Sequence, residues 1–302
     1  MAIAYFDGRF IDESEALIPV STHALHYGTA IFEGIRSYGD GSRAAIFRPR
    51  EHYERFLRNA AIIRMKPEYT VDQLIELTIE LLHQNKNYSS TYIRPLFYKS
   101  ETAIGAHIYP GEKLAIYTRE WAPRAIPPPT ATATISRWRR NSRLSVPAGA
   151  KISGLYVNSA LAISESMERG YDQTIMLTTS GEVAEGYGAN LFAVFDRKVV
   201  TPPETADILA GITRDTLMHY FQSRDDLTIS VESISPEQLL KADELFLAGT
   251  GLEVIPLVSV DGTPISSGDL GPITRDAAQW YRDLATGKID APDGWLVPLT
   301  AD

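Results

Sequence analysis

Apolar and polar positions change their spacing several times along the chain, and those changes divide it. Residues 3–6 and 9–11 read as short strands flanking Asp7-Gly8, a two-residue hairpin turn in which glycine tolerates positive φ. Tyr53, Phe56, Leu57, Ala60 and Ile63 recur at helical spacing and predict a helix over 51–65. Thr70-x-x-Gln73 reads as a capping box opening a second helix, with Leu74, Ile75, Thr78, Leu81 and Leu82 on one face. Strand-like runs at 91–98 and 113–118 complete a first α+β unit of about 120 residues, an ordinary domain size.

A proline-rich stretch follows, Ala122-Pro123-Arg124-Ala125-Ile126-Pro127-Pro128-Pro129-Thr130. Three consecutive prolines cannot continue a helix or sit inside a sheet, and they favour a stiff extended segment. The expected organisation is a small N-terminal α+β domain over 1–122, a linker over 123–130 and a larger, strand-rich mixed domain over 131–302. Within the last, strands are predicted at 132–138, 174–177, 191–195, 199–200, 228–231 and 245–247. Helices are predicted at 154–169, 213–221 and 272–285. A further helix opens at Ser235-Pro236-Glu237-Gln238, where serine caps and proline suits the first helical position. Strands and helices mix without strict βαβ alternation, so the predicted fold class is α+β, in two domains.

Composition narrows the chemistry. A net charge of −9 and a pI near 5.3 over 302 residues argue against nucleic acid as a partner. The basic run Arg137-Trp138-Arg139-Arg140 is the local exception, read as a solvated strand end or loop. With no cysteine, disulfides, zinc thiolate sites and cysteine nucleophiles are excluded. The start lacks the basic and apolar regions of a signal peptide, and no run reaches the ~18 apolar residues of a membrane span, so a cytoplasmic location is expected. His23 and His26 find no third ligand at metal spacing, and no metal is expected. The G-x-S-x-G elbow, the phosphate-binding G-x-x-x-x-G-K-[ST] loop and the G-x-G-x-x-G turn are all missing from the sequence.

What remains is a constellation spread over both halves. The chain holds eight lysines, and Lys151 lies among small or apolar neighbours in Val146-Pro147-Ala148-Gly149-Ala150-Lys151-Ile152-Ser153-Gly154. A lysine in apolar surroundings gives up its proton more readily and becomes a nucleophile towards carbonyls. Glu185 stands in Gly181-Glu182-Val183-Ala184-Glu185-Gly186-Tyr187-Gly188-Ala189-Asn190-Leu191-Phe192, between a strand and glycines that leave room for a ligand. Leu209-Ala210-Gly211-Ile212-Thr213-Arg214-Asp215 opens a helix after glycine, a backbone arrangement that cradles anions. Gly249-Thr250-Gly251 offers a second set of accessible amides. Taken singly, each is an ordinary turn or cap.

Together these motifs, in this order, resemble the class IV aminotransferases, the fold-type-IV pyridoxal phosphate enzymes, and specifically the branched-chain-amino-acid aminotransferases. Further stretches carry the resemblance: His26-Tyr27-Gly28-Thr29-Ala30-Ile31-Phe32-Glu33-Gly34-Ile35-Arg36, Phe47-Arg48-Pro49-Arg50-Glu51-His52-Tyr53-Glu54-Arg55, and Tyr92-Ile93-Arg94-Pro95-Leu96. The resemblance implies pyridoxal 5'-phosphate as cofactor. It implies that Lys151 carries the cofactor as a Schiff base and shuttles the proton between substrate Cα and the cofactor's C4′. By the same resemblance Glu185 pairs with the ring nitrogen and Tyr156 hydrogen-bonds the phenolate oxygen. Arg55, the amides of Ile212 and Thr213, and Thr250 would hold the phosphate. Tyr92 and Arg94, alternating on one strand, would bind carboxylate groups. Thr250 and Gly251 would receive the α-carboxylate, and Tyr27 and Phe32 would line the side-chain pocket.

The activity implied is transamination between L-leucine, L-isoleucine or L-valine and 2-oxoglutarate. Its partners are small amino acids and 2-oxo acids, in a homodimer or larger homo-oligomer, with the 104–109 loop as the candidate to approach the neighbouring subunit. The alternatives are a D-amino-acid or (R)-amine transaminase of the same fold, an aminodeoxychorismate lyase, and a binding protein that retains the fold without catalysis.

Overall fold

The computed structural model describes residues 2–147 and 149–300. The chain divides into two compact units, one of Met1–Pro123, Ala150–Leu155 and Asp283–Asp302, the other of Arg124–Gly149 and Tyr156–Arg282. The expectation of one continuous domain over 131–302 is corrected by this division. Residues 150–155 join the first unit because Ile152 bridges Ile31 and the Phe32 amide donates to the Lys151 carbonyl at 3.1 Å. The final strand, Leu296–Thr300, joins it by pairing with residues 43–47.

In the first unit, β1 (Ile3–Phe6) and β2 (Arg9–Asp12) form the expected hairpin, Asp7 and Gly8 both at positive φ. There follow α1 (His23–Tyr27), β3 (Ala30–Phe32), β4 (Ile35–Asp40), β5 (Arg43–Phe47), α2 (Pro49–Ile62), α3 (Val71–Gln84), β6 (Ser89–Lys99) and β7 (Glu112–Glu120). The strands make one antiparallel sheet in the order final strand, β5, β4, β6, β7, β1, β2, and β3 also pairs with β6. Phe56 of α2 stacks on Phe97 of β6 at 4.4 Å, fixing that helix to the sheet. The capping box of α3 is present in both directions, Gln73 N to Thr70 Oγ1 and Thr70 N to Gln73 Oε1.

The second unit holds β8 (Ala131–Ile135), α4 (Tyr156–Glu168), β9 (Gln173–Leu177), β10 (Val183–Gly186), β11 (Asn190–Phe195), β12 (Lys198–Thr201), α5 (Ile212–Gln222), β13 (Thr228–Val231), α6 (Pro236–Leu239), β14 (Glu244–Gly249), β15 (Glu253–Val260), β16 (Thr263–Pro264) and α7 (Pro272–Ala285). Its strands run β10, β9, β8, β15, β14, β11, β12, β13, and β10 also pairs with β11. Six strands therefore close into a barrel, and the Glu185–Asn190 pairing makes the closure. Alternate residues point one way along a strand, so Ile175 and Leu177, Leu191 and Ala193, Leu245 and Leu247, and Ile255 and Leu257 gather in one buried cluster. On the other face Phe192 and Phe246 stack at 4.9 Å, and Phe221 of α5 packs on both. That contact docks α5 on the barrel wall. Among the described residues no helix is long and apolar enough to cross a membrane.

Candidate active site

On the first unit, Lys151 is placed by two glycines. Gly28 ends α1 in the left-handed region (φ 64°), and the Gly154 amide donates to its carbonyl at 3.1 Å. A Cβ on Gly28 would lie 2.5 Å from Gly154 Cα, so only glycine lets the backbones meet. Lys151 Nζ then sits 4.8 Å from the centre of the Phe32 ring, and the Arg94 guanidinium lies 4.4 Å from the same centre. Arg94 Nη2 donates to Tyr92 Oη at 2.8 Å, while its Nε is buried with no hydrogen-bond partner. The structure thus brings Lys151, Phe32, Tyr92 and Arg94 together. The Arg94 guanidinium and the Lys151 amine against one ring, with an unsatisfied buried donor on Arg94, are the makings of an anion site. Tyr27 makes its contacts elsewhere: its ring lies against His23, and its hydroxyl accepts from the Gly105 amide at 2.8 Å.

Arg55 meets a residue to which the sequence assigned no role. Its Nε and Nη2 donate to the two oxygens of Glu33 at 2.7 and 2.8 Å, and His52 Nδ1 adds a third bond at 2.9 Å. Glu33 is fully buried. Burial by itself would raise its pKa, but the Arg55 charge and the bonds from His52 and Arg55 hold the carboxyl well below the usual range. Burial pushes the His52 imidazole below its ordinary value against the pull of Glu33, and the charges of Arg55 and Lys151 add to the lowering. Glu33 had one signal available: a lone carboxylate inside the apolar run Ala30-Ile31-Phe32-Glu33-Gly34-Ile35 is rare unless paired.

On the second unit, Glu185 lies on β10 and is nearly fully buried. Its Oε1 pairs with Arg140 Nη2 at 2.9 Å, its Oε2 accepts from Asn190 Nδ2 at 2.9 Å, and the Leu209 amide is 3.3 Å from both oxygens. The reading of Arg140 as part of a solvated run is corrected. Strand β8 ends at Ile135, and the turn after it directs this side chain inward while Arg137 stays exposed. Asn190 does a second job: Nδ2 also donates to the Leu209 carbonyl at 2.8 Å, and a Cβ on Gly211 would fall 2.0 Å from Asn190 Oδ1.

Gly211 is the N-cap of α5, and Ile212 and Thr213 in its first turn are buried. The first helix bond is Asp215 N to Gly211 O, and amides at such a start lack intrahelical partners and attract anions. Thr250 and Gly251 occupy the β14–β15 turn, closed by Leu252 N to Gly249 O at 3.1 Å. That turn is held by Arg124 Nε on the Leu252 carbonyl (2.8 Å) and by Arg282 on Glu253, three side chains to which the sequence assigned no role. A Cβ on Gly249 would meet Ala189 and the Gly188 carbonyl. Glu185, the α5 N-terminus and the Thr250–Gly251 turn therefore converge at one end of the barrel. Tyr156 is the first residue of α4.

Residues 30–260 match the family described as Amino-transferase class IV. A probable branched-chain-amino-acid aminotransferase of Aquifex aeolicus is 37% identical over 303 residues, covering 99% of this chain and 97% of that protein. The solved branched-chain aminotransferase of the thermophilic archaeon Thermoproteus uzoniensis, with norvaline, has a TM-score of 0.93 at 36% identity and covers 99% of both chains. The branched-chain amino acid aminotransferase of Thermobaculum terrenum, solved in its PLP holo-form, has a TM-score of 0.91 at 32% identity over 98% of each chain. Likeness at this level along almost the whole length reflects common descent, and the chain belongs to the class IV amino-transferases.

Proposed function

We propose that this protein transfers the amino group of L-leucine, L-isoleucine or L-valine to 2-oxoglutarate, giving the branched-chain 2-oxo acids and L-glutamate, with pyridoxal 5'-phosphate as cofactor. The observation that carries the reading is Asn190. One side chain bonds the buried Glu185 carboxylate and packs on Gly211, so an acid and an anion-binding helix start are built as one piece. That donor set fits the cofactor: a carboxylate for a protonated ring nitrogen, helix amides with Thr213 and Thr250 for a phosphate, a lysine for an aldehyde.

When bound, pyridoxal phosphate supplies an electron sink for the carbanion left at substrate Cα. Lys151 would hold the cofactor covalently through Nζ, and the same amine would carry the proton to and from substrate Cα. Glu185 keeps the ring-nitrogen proton in place. Ile212, Thr213 and Thr250 would hold the phosphate, Arg55, kept oriented by Glu33, is proposed as a phosphate ligand by the family resemblance, and Tyr156 would bind the phenolate oxygen. Thr250 and Gly251 receive the α-carboxylate. Phe32 would form the apolar wall, Tyr27 being turned to His23 and the Gly105 amide instead, and Tyr92 with Arg94 would take the second carboxylate of glutamate or 2-oxoglutarate.

The likeness to branched-chain enzymes along the whole chain favours this reading over a D-amino-acid or (R)-amine transaminase. Exposed Leu17, Val20, Leu25 and Ile104 support assembly as a homodimer or larger. The deciding experiment is the visible spectrum of the purified holoprotein before and after L-leucine. Leucine should bleach the cofactor band and 2-oxoglutarate should restore it; a response to D-alanine or (R)-1-phenylethylamine alone would overturn the assignment.

A further inference from the structure

We propose that Arg140 is a positioning residue that sets the charge of Glu185, and through it the protonation of the cofactor ring nitrogen. The proposal rests on the reading that Glu185 pairs with that nitrogen. A buried carboxylate is driven towards its neutral form unless a cation or several donors oppose desolvation. The groups that bond Glu185 are unequal. Asn190 and the Leu209 amide are neutral and can aim the carboxylate without compensating its charge. Arg140 is a cation in direct contact with it, its side chain 11% exposed against 6% for Glu185. Arg214 also feels the Glu185 field, but its guanidinium is committed to Thr201 Oγ1 and the Pro202 carbonyl. Ionisation thus hangs on Arg140 and direction on Asn190 and Leu209.

Arg140 is itself fixed at three points. Its amide donates to the Leu177 carbonyl at 2.9 Å, its Nε to the Asp207 carbonyl at 3.3 Å, and its Nη2 to Glu185. Arg143 supports the same loop: its amide and Nε donate to Asp207 Oδ1, and its Nη2 to the Glu204 carbonyl. Asp207, held at φ 58°, leads towards Leu209 and Gly211. The two arginines share the loop, but Arg140 is the one that reaches Glu185. This separates an electrostatic role from a structural one.

A carboxylate held as an anion by arginine accepts a hydrogen bond from a pyridinium without removing its proton. Without the arginine, the buried carboxylate competes for that proton and the ring nitrogen becomes neutral in part. The test is the ring-nitrogen chemical shift in holoprotein reconstituted with ¹⁵N-labelled pyridoxal phosphate, read with the cofactor dissociation constant. Arg140→Met should move the resonance towards neutral pyridine and weaken cofactor binding about tenfold or more, the scale of a lost hydrogen bond to a charged group. Arg140→Lys should keep the resonance near its parent position. Arg143→Met, which loosens the loop and leaves Glu185 paired, should not move it.

An unmoved resonance in Arg140→Met, or an equal movement in Arg143→Met, overturns the proposal. Glu185→Gln separates the two levels. If it moves the resonance while Arg140→Met does not, only this proposal fails; if it leaves the resonance in place, the pairing of Glu185 with the ring fails and takes this proposal with it. The Arg140→Met/Glu185→Gln pair buries no lone carboxylate, which keeps the test available if Arg140→Met does not fold. It should reproduce the Glu185→Gln resonance, and a further displacement would show Arg140 acting on the ring without Glu185.

Discussion

Gly28 and Gly154 meet backbone to backbone, the amide of one on the carbonyl of the other, three residues from Lys151. Gly28→Ala therefore carries two penalties, a side chain at φ 64° and a Cβ only 2.5 Å from Gly154 Cα. We expect a loss of about 2–4 kcal/mol in urea unfolding and a displaced Lys151. Gly8→Ala is the control, because its φ of 88° is equally unfavourable while nothing lies within 4 Å of the added Cβ. Gly8→Ala should cost about 1 kcal/mol and keep full cofactor loading. Equal loading defects in both variants would show that the Gly28–Gly154 contact does not place the lysine.

How much of this could be read in the sequence depends on the residue. The hairpin at Asp7-Gly8, the capping box at Thr70, the serine cap at Ser235 and helix α7 follow from local chemistry, and the structure has them where the pattern puts them. Strands β3 and β4 gave no alternation because they are buried on both faces, Arg36 and Ser37 included. The division into two units was not legible in full because residues 150–155 and the final strand return to the first sheet through non-local pairing. Arg140 and Glu33 were missed for a related reason. Their partners, Glu185 and Arg55, lie 45 and 22 positions away; the apolar run around Glu33 signals that it is paired but not with what, and nothing local distinguishes Arg140 from a solvated charge.

Lys151→Ala should fold and lose covalent cofactor. Borohydride reduction followed by peptide mass spectrometry should place the cofactor mass on the Lys151 peptide of the parent protein and nowhere in the variant. Lys99 is an unsuitable substitute, buried and committed to Glu112 at 2.9 Å. Label on any other lysine in the parent protein would remove Lys151 as the anchor.

Stability should fall with acidification in two steps, both in one direction. His52 titrates lower folded than unfolded, so the unfolded chain takes up its proton first and stability begins to fall below about pH 6.5. Glu33 is also depressed when folded, so its contribution is present above the ordinary glutamate value and is lost progressively below about pH 4.3. His52→Gln should abolish the upper step and keep the lower. Urea unfolding across that range checks it, and an unchanged slope near pH 6 in the variant would mean that His52 is not the group responsible.

Arg94 offers the sharpest division between substrates. Its guanidinium rests on Phe32, donates one bond to Tyr92, and has a buried Nε with no partner, so it is held in place with a donor to spare. Glutamate and 2-oxoglutarate bring a second carboxylate; leucine brings only a branched chain. Arg94→Ala should therefore raise KM for 2-oxoglutarate by roughly tenfold or more, the worth of a charge-assisted hydrogen bond. For leucine the change should be several times smaller, because leucine brings no second carboxylate for Arg94 to bind and the Phe32 wall is kept. Tyr92→Phe is the companion variant: it removes the hydroxyl that positions Arg94 and should show the same preference, more weakly. Separate half-reactions with leucine and with 2-oxoglutarate measure each arm without the other. Equal losses in both arms would put Arg94 on the carboxylate that all substrates share.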